Sequence, residues 1–288
     1  MISFRSIVLM VIPIVLFGLC SSDVSAEQKL RVATLTPAVN DGLRSDPDRY
    51  ELVATVRTSM HAPAQTSVFD LGSPHSPNIE QLAASQPDLV IGDQALHARL
   101  ASQLKPLDVE VVMVDASSSL SLLEGLSEIA NRVPHSRILS SRVDEAQSEL
   151  SQVSLSNPVS VVALFGVPGS FYLVSERWWL GSMLKGLGFT NLVPDIPNKR
   201  YPGLVPVNDE RLAMLRPDIV FLISHGDPEK IKSEFARMTA EEGAWAQIGR
   251  ASRGVHVLDP EVFMMTPALN APEVAQTLVQ MTDSEGAL

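Results

Sequence analysis

The chain has 288 residues, 45% hydrophobic and 19% charged, which is enough apolar content for one large domain or two lobes and too much for intrinsic disorder. Twenty-two Lys and Arg against 33 Asp and Glu leave a formal charge of −11. A chain this acidic, with no basic run, lacks the electrostatic footprint for nucleic acid and is a poor partner for anionic membrane surfaces.

Residues 1–26 read as an export signal: Arg5, an apolar run from Ile7 to Leu19, and Val24-Ser25-Ala26 before Glu27. The small residues fit cleavage after Ala26, which would release a periplasmic protein. The alternative is lipid anchoring at Cys20, for which Leu19 is a poor preceding residue. The apolar run of 13 residues falls short of the roughly 20 that a membrane span needs. Cys20 is the sole cysteine, so cleavage also excludes disulfides, cysteine catalysis and thiolate metal sites.

In chain order, Leu30 to Thr34 and Leu52 to Val56 are β-rich runs between polar or turn residues. Ser76-Pro77-Asn78 opens a helix over Ile79 to Ser85, and Gln86-Pro87-Asp88 ends it ahead of the apolar strand Leu89 to Gly92. A helix over Leu96 to Leu104 and a strand over Val109 to Val114 complete a βα-alternating half, hence a mainly parallel sheet flanked by helices. From Ser119 the pattern is helical only, interrupted at Val133-Pro134. Ser136 to Val153 then runs without Gly or Pro, long enough at 1.5 Å per residue to span about 27 Å and bridge two lobes. Alternation resumes with strand Val159 to Phe165, helices Trp178 to Leu187 and Glu210 to Leu215, and strand Ile219 to Ile223. Helix 228–238, strand Gly254 to Leu258 and helix Ala271 to Met281 close the chain.

One internal echo stands out. Asn78-Ile79-Glu80 through Pro87-Asp88-Leu89 recurs as Asn208-Asp209-Glu210 through Pro217-Asp218-Ile219, at an offset of 130 residues. A helix–turn–strand unit used once per half implies two similarly built lobes. The expected class is therefore α/β: two Rossmann-like lobes with mainly parallel sheets, joined by a single long backbone helix. The expected boundaries are 1–26 for the signal, 27–134 and 157–288 for the lobes, and 135–156 for the bridge.

No nucleophile elbow, zinc-protease helix, Walker loop or dinucleotide fingerprint is present, so no catalysis is expected. Of the six histidines, His97, His135 and His256 read as surface or satisfied core residues. His75 and His225 lie in loops, one entering the helix of the first repeat and the other leaving the strand of the second. Loops at the carboxyl ends of parallel strands bind ligands in α/β lobes. The two imidazoles either face one cleft or are independent loop residues. His61, beside Met60, is a third loop candidate.

These residues resemble a helical-backbone periplasmic binding protein, the receptor class of ABC importers for cobalamin, siderophores and haem. The resemblance rests on Pro77-Asn78-Ile79-Glu80 with Gln86-Pro87-Asp88-Leu89-Val90. It is closer to haem-receptor lipoproteins of the iron-regulated surface determinant type through Phe165-Gly166-Val167-Pro168-Gly169-Ser170-Phe171, Arg200-Tyr201, and Arg216-Pro217-Asp218-Ile219 leading to Ser224-His225-Gly226-Asp227-Pro228-Glu229. The resemblance implies that His225 is an axial ligand of haem iron. It places His75 where those receptors carry a methionine, and imidazole ligates haem iron as well.

A haem pocket should be apolar, with Val167, Phe171, Tyr172, Met264 and Met265 as candidate lining and Arg200 and Tyr201 as a propionate contact. The bland readings are core filler for the methionines and a solvated loop for Arg200. Glu80 and Glu210 would dock the lobes on an ABC permease, or else are ordinary first-turn carboxylates favoured by the helix dipole. The implied protein is a monomeric haem carrier and not an enzyme. The alternatives are cobalamin or a ferric siderophore as cargo, or an exported haem-modifying enzyme.

Overall fold

The computed structural model describes residues 29–57, 67–133, 136–198 and 201–284. The signal sequence with Cys20, and Met60, His61, His135 and Arg200, lie outside the described residues.

The N-terminal lobe is a five-stranded, wholly parallel sheet in the order β3-β2-β1-β6-β7, with strands β1 (Leu30–Thr34), β2 (Tyr50–Thr55), β3 (Phe69–Asp70), β6 (Leu89–Asp93) and β7 (Glu110–Val114). Between β3 and the helix Ile79–Ala84, a small antiparallel hairpin pairs β4 (Gly72–Ser73) with β5 (Ser76–Pro77). The central strands are buried on both faces. Val32, Leu89 and Ile91 enter one core with the helix Ser119–Arg132, while Ala33 and Val90 enter another with Leu82 and Leu104. That double burial is why β6 reads as an unbroken apolar run and not as an alternation.

The C-terminal lobe repeats the arrangement with an insertion. β8 (Ser160–Val167), β12 (Ile219–Ser224) and β13 (Val255–Leu258) run parallel, as β1, β6 and β7 do. β9 (Ser170–Val174) instead folds back antiparallel on β8, β11 (Leu204–Pro206) pairs antiparallel with β9, and β10 (Thr190–Asn191) lies parallel to the start of β8. The sheet of this lobe is still mainly parallel, as expected, and the antiparallel pairings of β9 with β8 and β11 are the addition that the sequence reading did not contain. The signal was in the sequence: Pro168-Gly169 is a two-residue turn, and Gly169 sits at φ +79°, a conformation that glycine adopts without steric cost.

The 130-residue echo is a repeated latch. Asn78 and Asn208 each cap their helix, accepting from the N–H of Gln81 at 3.0 Å and of Arg211 at 2.8 Å. The aspartate after each proline ties the neighbouring strand: Asp88 accepts from the Arg31 N–H at 2.9 Å, and Asp218 from the Ser160 N–H at 2.8 Å. Each aspartate returns its own N–H to the carbonyl of the residue that it binds.

The connecting helix is Arg137–Leu150, shorter than the expected Ser136 to Val153. It ends early because the chain turns into the second lobe, where the Leu155 N–H reaches the Leu187 carbonyl at 2.9 Å. Fourteen residues span about 21 Å. Leu139, Val143 and Ala146 are buried in the N-terminal core, whereas Leu150 packs on the C-terminal one. At its start, Ser136 donates to Asp46 at 3.0 Å and meets the Tyr50 hydroxyl at 2.9 Å, all three residues being buried. Stranding a buried polar group of this kind costs about 1–3 kcal/mol.

The helix is not the only tie. Ala268, from the C-terminal third of the chain, is buried in the N-terminal core, the Thr266 hydroxyl donates to the Ala116 carbonyl at 2.6 Å, and the helix Ala271–Gln280 packs along Arg137–Leu150.

Candidate functional site

His225 is the first residue after β12. Its N–H continues the ladder to the Gly166 carbonyl at 2.7 Å. Gly226 then turns at φ +124°, and Asp227 caps the helix Pro228–Ala240, accepting from the N–H groups of Glu229 and Lys230, with Pro228 at the first helical position. Strand end, glycine turn, cap and proline leave the imidazole one backbone position. Its ring stacks on Phe165 with centroids 5.5 Å apart and 26° between planes, and Nδ1 lies 3.3 Å from the Met264 sulfur. A thioether only accepts, so this contact puts the proton on Nδ1 and leaves the lone pair on Nε2.

His75 sits in the two-residue turn, Pro74-His75, that joins β4 to β5. Its N–H donates to the Ser73 hydroxyl at 3.3 Å, and Arg99 donates to its carbonyl. The neighbouring Pro74 carbonyl accepts from Nε2 of His97 at 2.8 Å. His97 is fully buried, and its Nδ1 accepts the Asp93 N–H at 2.9 Å, so Nε2 carries the proton.

The two loop histidines, carried by different lobes, are coupled through charge. Burial holds the His225 imidazole below its ordinary range, and the charge of His75 lowers it further. His75 acts in the same sense on His97, whose imidazole burial also depresses. A hairpin of one lobe and a strand end of the other thus bring two imidazoles within electrostatic reach.

Around His225 the wall is aromatic. Phe165 meets Trp178 edge-on at 5.3 Å, and Tyr172 meets Tyr201 at 6.0 Å. Phe165 and Tyr172 are cross-strand partners on one sheet face, half-buried like Met264. Val167 shares that face of β8 by its alternation with Phe165, and Met265 is half-buried beside Met264. Phe171 is different. It lies on the opposite face, buried in the core with Phe235 and Trp245, and so lines no cleft. The strand period explains it: neighbours Phe171 and Tyr172 must point to opposite faces. Phe165, which stacks on His225, and Trp178, which meets Phe165, are the neighbours of His225 that sequence reasoning missed. Phe165 was legible from its position two residues before Val167 on a strand, whereas Trp178 owes its place to tertiary packing.

His256 is a satisfied core residue, 3.0 Å from the Arg253 carbonyl through Nε2. Glu80 and Glu210 are both exposed at the second position of their helices. Among the described residues there is no cluster of three or more His, Cys, Asp or Glu that could hold a bare metal ion, and no helix long and apolar enough to cross a membrane.

The family model described as "Periplasmic binding protein" matches residues 32–257. The high-affinity heme uptake system protein IsdE of Staphylococcus aureus is 22% identical over 269 residues, covering 89% of both chains. Its crystal structure complexed with heme superposes with a TM-score of 0.73 at 18% identity, covering 88% of this chain and 99% of that one. An ABC transporter substrate-binding protein from Listeria monocytogenes EGD-e superposes with a TM-score of 0.75 at 25% identity, over 88% of this chain and 98% of that one. The siderophore-binding protein BauB, bound to acinetobactin and ferric iron, gives a TM-score of 0.68 at 16% identity, over 88% and 92%.

The electrostatic coupling of the two imidazoles is measurable without any ligand. In an NMR titration of the empty protein, His225 should titrate below the usual midpoint of about 6.5. His75→Ala should move that midpoint upward, since a neighbouring cation no longer opposes protonation. A His225 midpoint indifferent to His75→Ala would mean that the two imidazoles are not coupled. Because the folded state resists protonation at His97 and His225, stability should be full above the ordinary imidazole range and decline as pH falls below roughly 6.5.

Proposed function

The chain belongs to the periplasmic binding protein family, and within it we propose that this protein is the solute receptor of an ABC importer, carrying haem between His75 and His225 and delivering it to a permease. The observation that carries this reading is His225, stacked on Phe165 at a strand end of one lobe and within electrostatic reach of His75 on a hairpin of the other. Haem iron keeps four equatorial bonds to its macrocycle and has two open axial positions, which is what two opposed nitrogens supply. Phe165, Tyr172, Val167, Met264 and Met265 offer apolar surface for the flat ring, and Trp178 extends it. The phenol of Tyr201 and, outside the described residues, Arg200 are assigned to a propionate. His61 and Met60 are given no role.

A hexadentate ferric siderophore fills the iron's coordination shell by itself, so its receptor would have no use for two axial nitrogens. Cobalamin, a ferric siderophore and a haem-modifying enzyme are the competing readings, and titration with ferric haem separates them from transport of haem. The carrier is assigned to the periplasm as a monomer, in keeping with an export signal over residues 1–26.

Adding ferric haem to the purified protein should give a one-to-one complex with a low-spin, bis-imidazole visible spectrum. His225→Ala should abolish that spectrum and greatly weaken binding. His75→Ala should leave five-coordinate, high-spin haem. Absence of a Soret shift in the wild type, or a spectrum unchanged by His75→Ala, would sink the assignment; turnover of haem by the protein alone would favour the enzyme.

Glu80 and Glu210 are assigned to docking, one on each lobe at equivalent points of the repeat. Paired exposed charges chiefly set orientation and on-rate. Changing both to Ala should leave haem binding and folding intact while lowering uptake more than either single change. Normal uptake by the double variant, or loss of haem in isolation, would reduce them to structural carboxylates.

A further inference from the structure

The hairpin that carries His75 is too small to hold itself. Each of its strands has two residues, and isolated two-stranded hairpins are marginal even when longer. Pro77 can donate nothing to the ladder, and Gly72, at φ +77°, adds backbone freedom. The tip of the hairpin is nevertheless tied at two successive carbonyls, both times to the segment after β6. Pro74 is held by the buried His97, and His75 by the exposed Arg99, whose Nε also donates to the Leu96 carbonyl at 3.2 Å.

His97 is suited to this in detail. Its ring is wholly buried, one nitrogen is committed to the Asp93 N–H, and the other is thereby fixed as a donor aimed at Pro74. Asp93 is itself held in place, as the last residue of β6 and the cap of the helix Gln94–His97, accepting from the Leu96 N–H at 2.8 Å. The chain of contacts runs from the central sheet through Asp93 and His97 to the residue before His75. At the offset of 130 residues, the segment after β6 is the counterpart of the one after β12 that bears His225. The C-terminal lobe uses that segment to present a ligand directly; the N-terminal lobe uses it to hold the hairpin that presents one.

We infer that His97 is a positioning residue for the cargo site: with Arg99 it fixes the hairpin tip so that His75 meets the iron at the required place, without touching the haem itself. This rests on the haem reading above. Partners behind a metal-ligating side chain commonly change affinity by roughly 10- to 100-fold when removed. A histidine that merely fills the core would affect stability and leave the character of the ligation alone.

The test uses the full chain with two readouts. One is hydrogen exchange over residues 72–78 of the haem-free protein, and the other is the ferric haem spectrum and affinity. His97→Leu should speed exchange in the hairpin, shift the spectrum from low-spin toward five-coordinate high-spin, and weaken haem binding by about 10-fold or more. His97→Gln, which keeps a donor of similar reach toward Pro74, should stay close to the wild type in all three. Arg99→Ala, a surface change, should move exchange and spectrum in the direction of His97→Leu. A folded His97→Leu protein with wild-type exchange and an unaltered spectrum overturns the inference. If His97→Leu does not fold, Arg99→Ala decides: the same two readouts unchanged overturn it. Should the wild type bind no haem, the haem reading falls by itself, and exchange in the hairpin still shows whether His97 holds it.

Discussion

The site depends on the fixed spacing of two separately folded sheets. The helix Arg137–Leu150 starts buried in one core and ends against the other, so its rise sets how far apart the lobes lie. A helix resists bending far better than a pair of extended crossovers, because bending must strain or break hydrogen bonds along its length. The return of Ala268 into the first core and the packing of Ala271–Gln280 along the helix add a second tie at the same hinge. A ligand held by one nitrogen from each lobe needs such a frame. Two axial bonds to one iron tolerate little error in the gap between their donors, and large domain closure would have to restore that gap on each loading.

Within this frame the two lobes hold their histidines by different physics. His225 is placed by its own backbone, at the end of the strand Ile219–Ser224, with Gly226 and the Asp227 cap fixing the turn into the helix Pro228–Ala240. Phe165 crowds one face of the ring, and the Met264 sulfur meets its Nδ1. A thioether is a weak acceptor compared with the carboxylate or carbonyl that usually backs a metal-bound histidine, so this imidazole gains little basicity from its partner. His75 has almost no support from its own hairpin and takes its position from a neighbouring segment.

Much of this was legible in the residues. The repeated Asn-x-Glu to Pro-Asp unit disclosed two lobes, because the capping asparagines and the strand-tying aspartates, Asp88 and Asp218, are local devices that leave a fixed sequence imprint. The loop placement of His75 and His225 was readable for the same reason. What the sequence hid was tertiary. Phe171 and Tyr172 are adjacent aromatics, and only the register with Phe165 decides which of them faces the cleft. The antiparallel insertion β9 was signalled by Pro168-Gly169, yet periodicity alone did not separate it from the strand before it. His97 read as a surface or a satisfied core histidine, and it is the second. That its second hydrogen bond ends on Pro74 depends on a fold-back of 23 residues that no local pattern encodes.

The central claim is that one iron is held by two imidazoles, one from each lobe. Electron paramagnetic resonance of the ferric haem complex, with nitrogen hyperfine couplings compared between protein carrying natural and 15N-labelled histidine, tests it most directly. The account predicts a low-spin centre whose couplings report two axial histidine nitrogens. A high-spin centre, or a low-spin one with a single histidine nitrogen and a thioether from Met264 or Met265 opposite it, would contradict it.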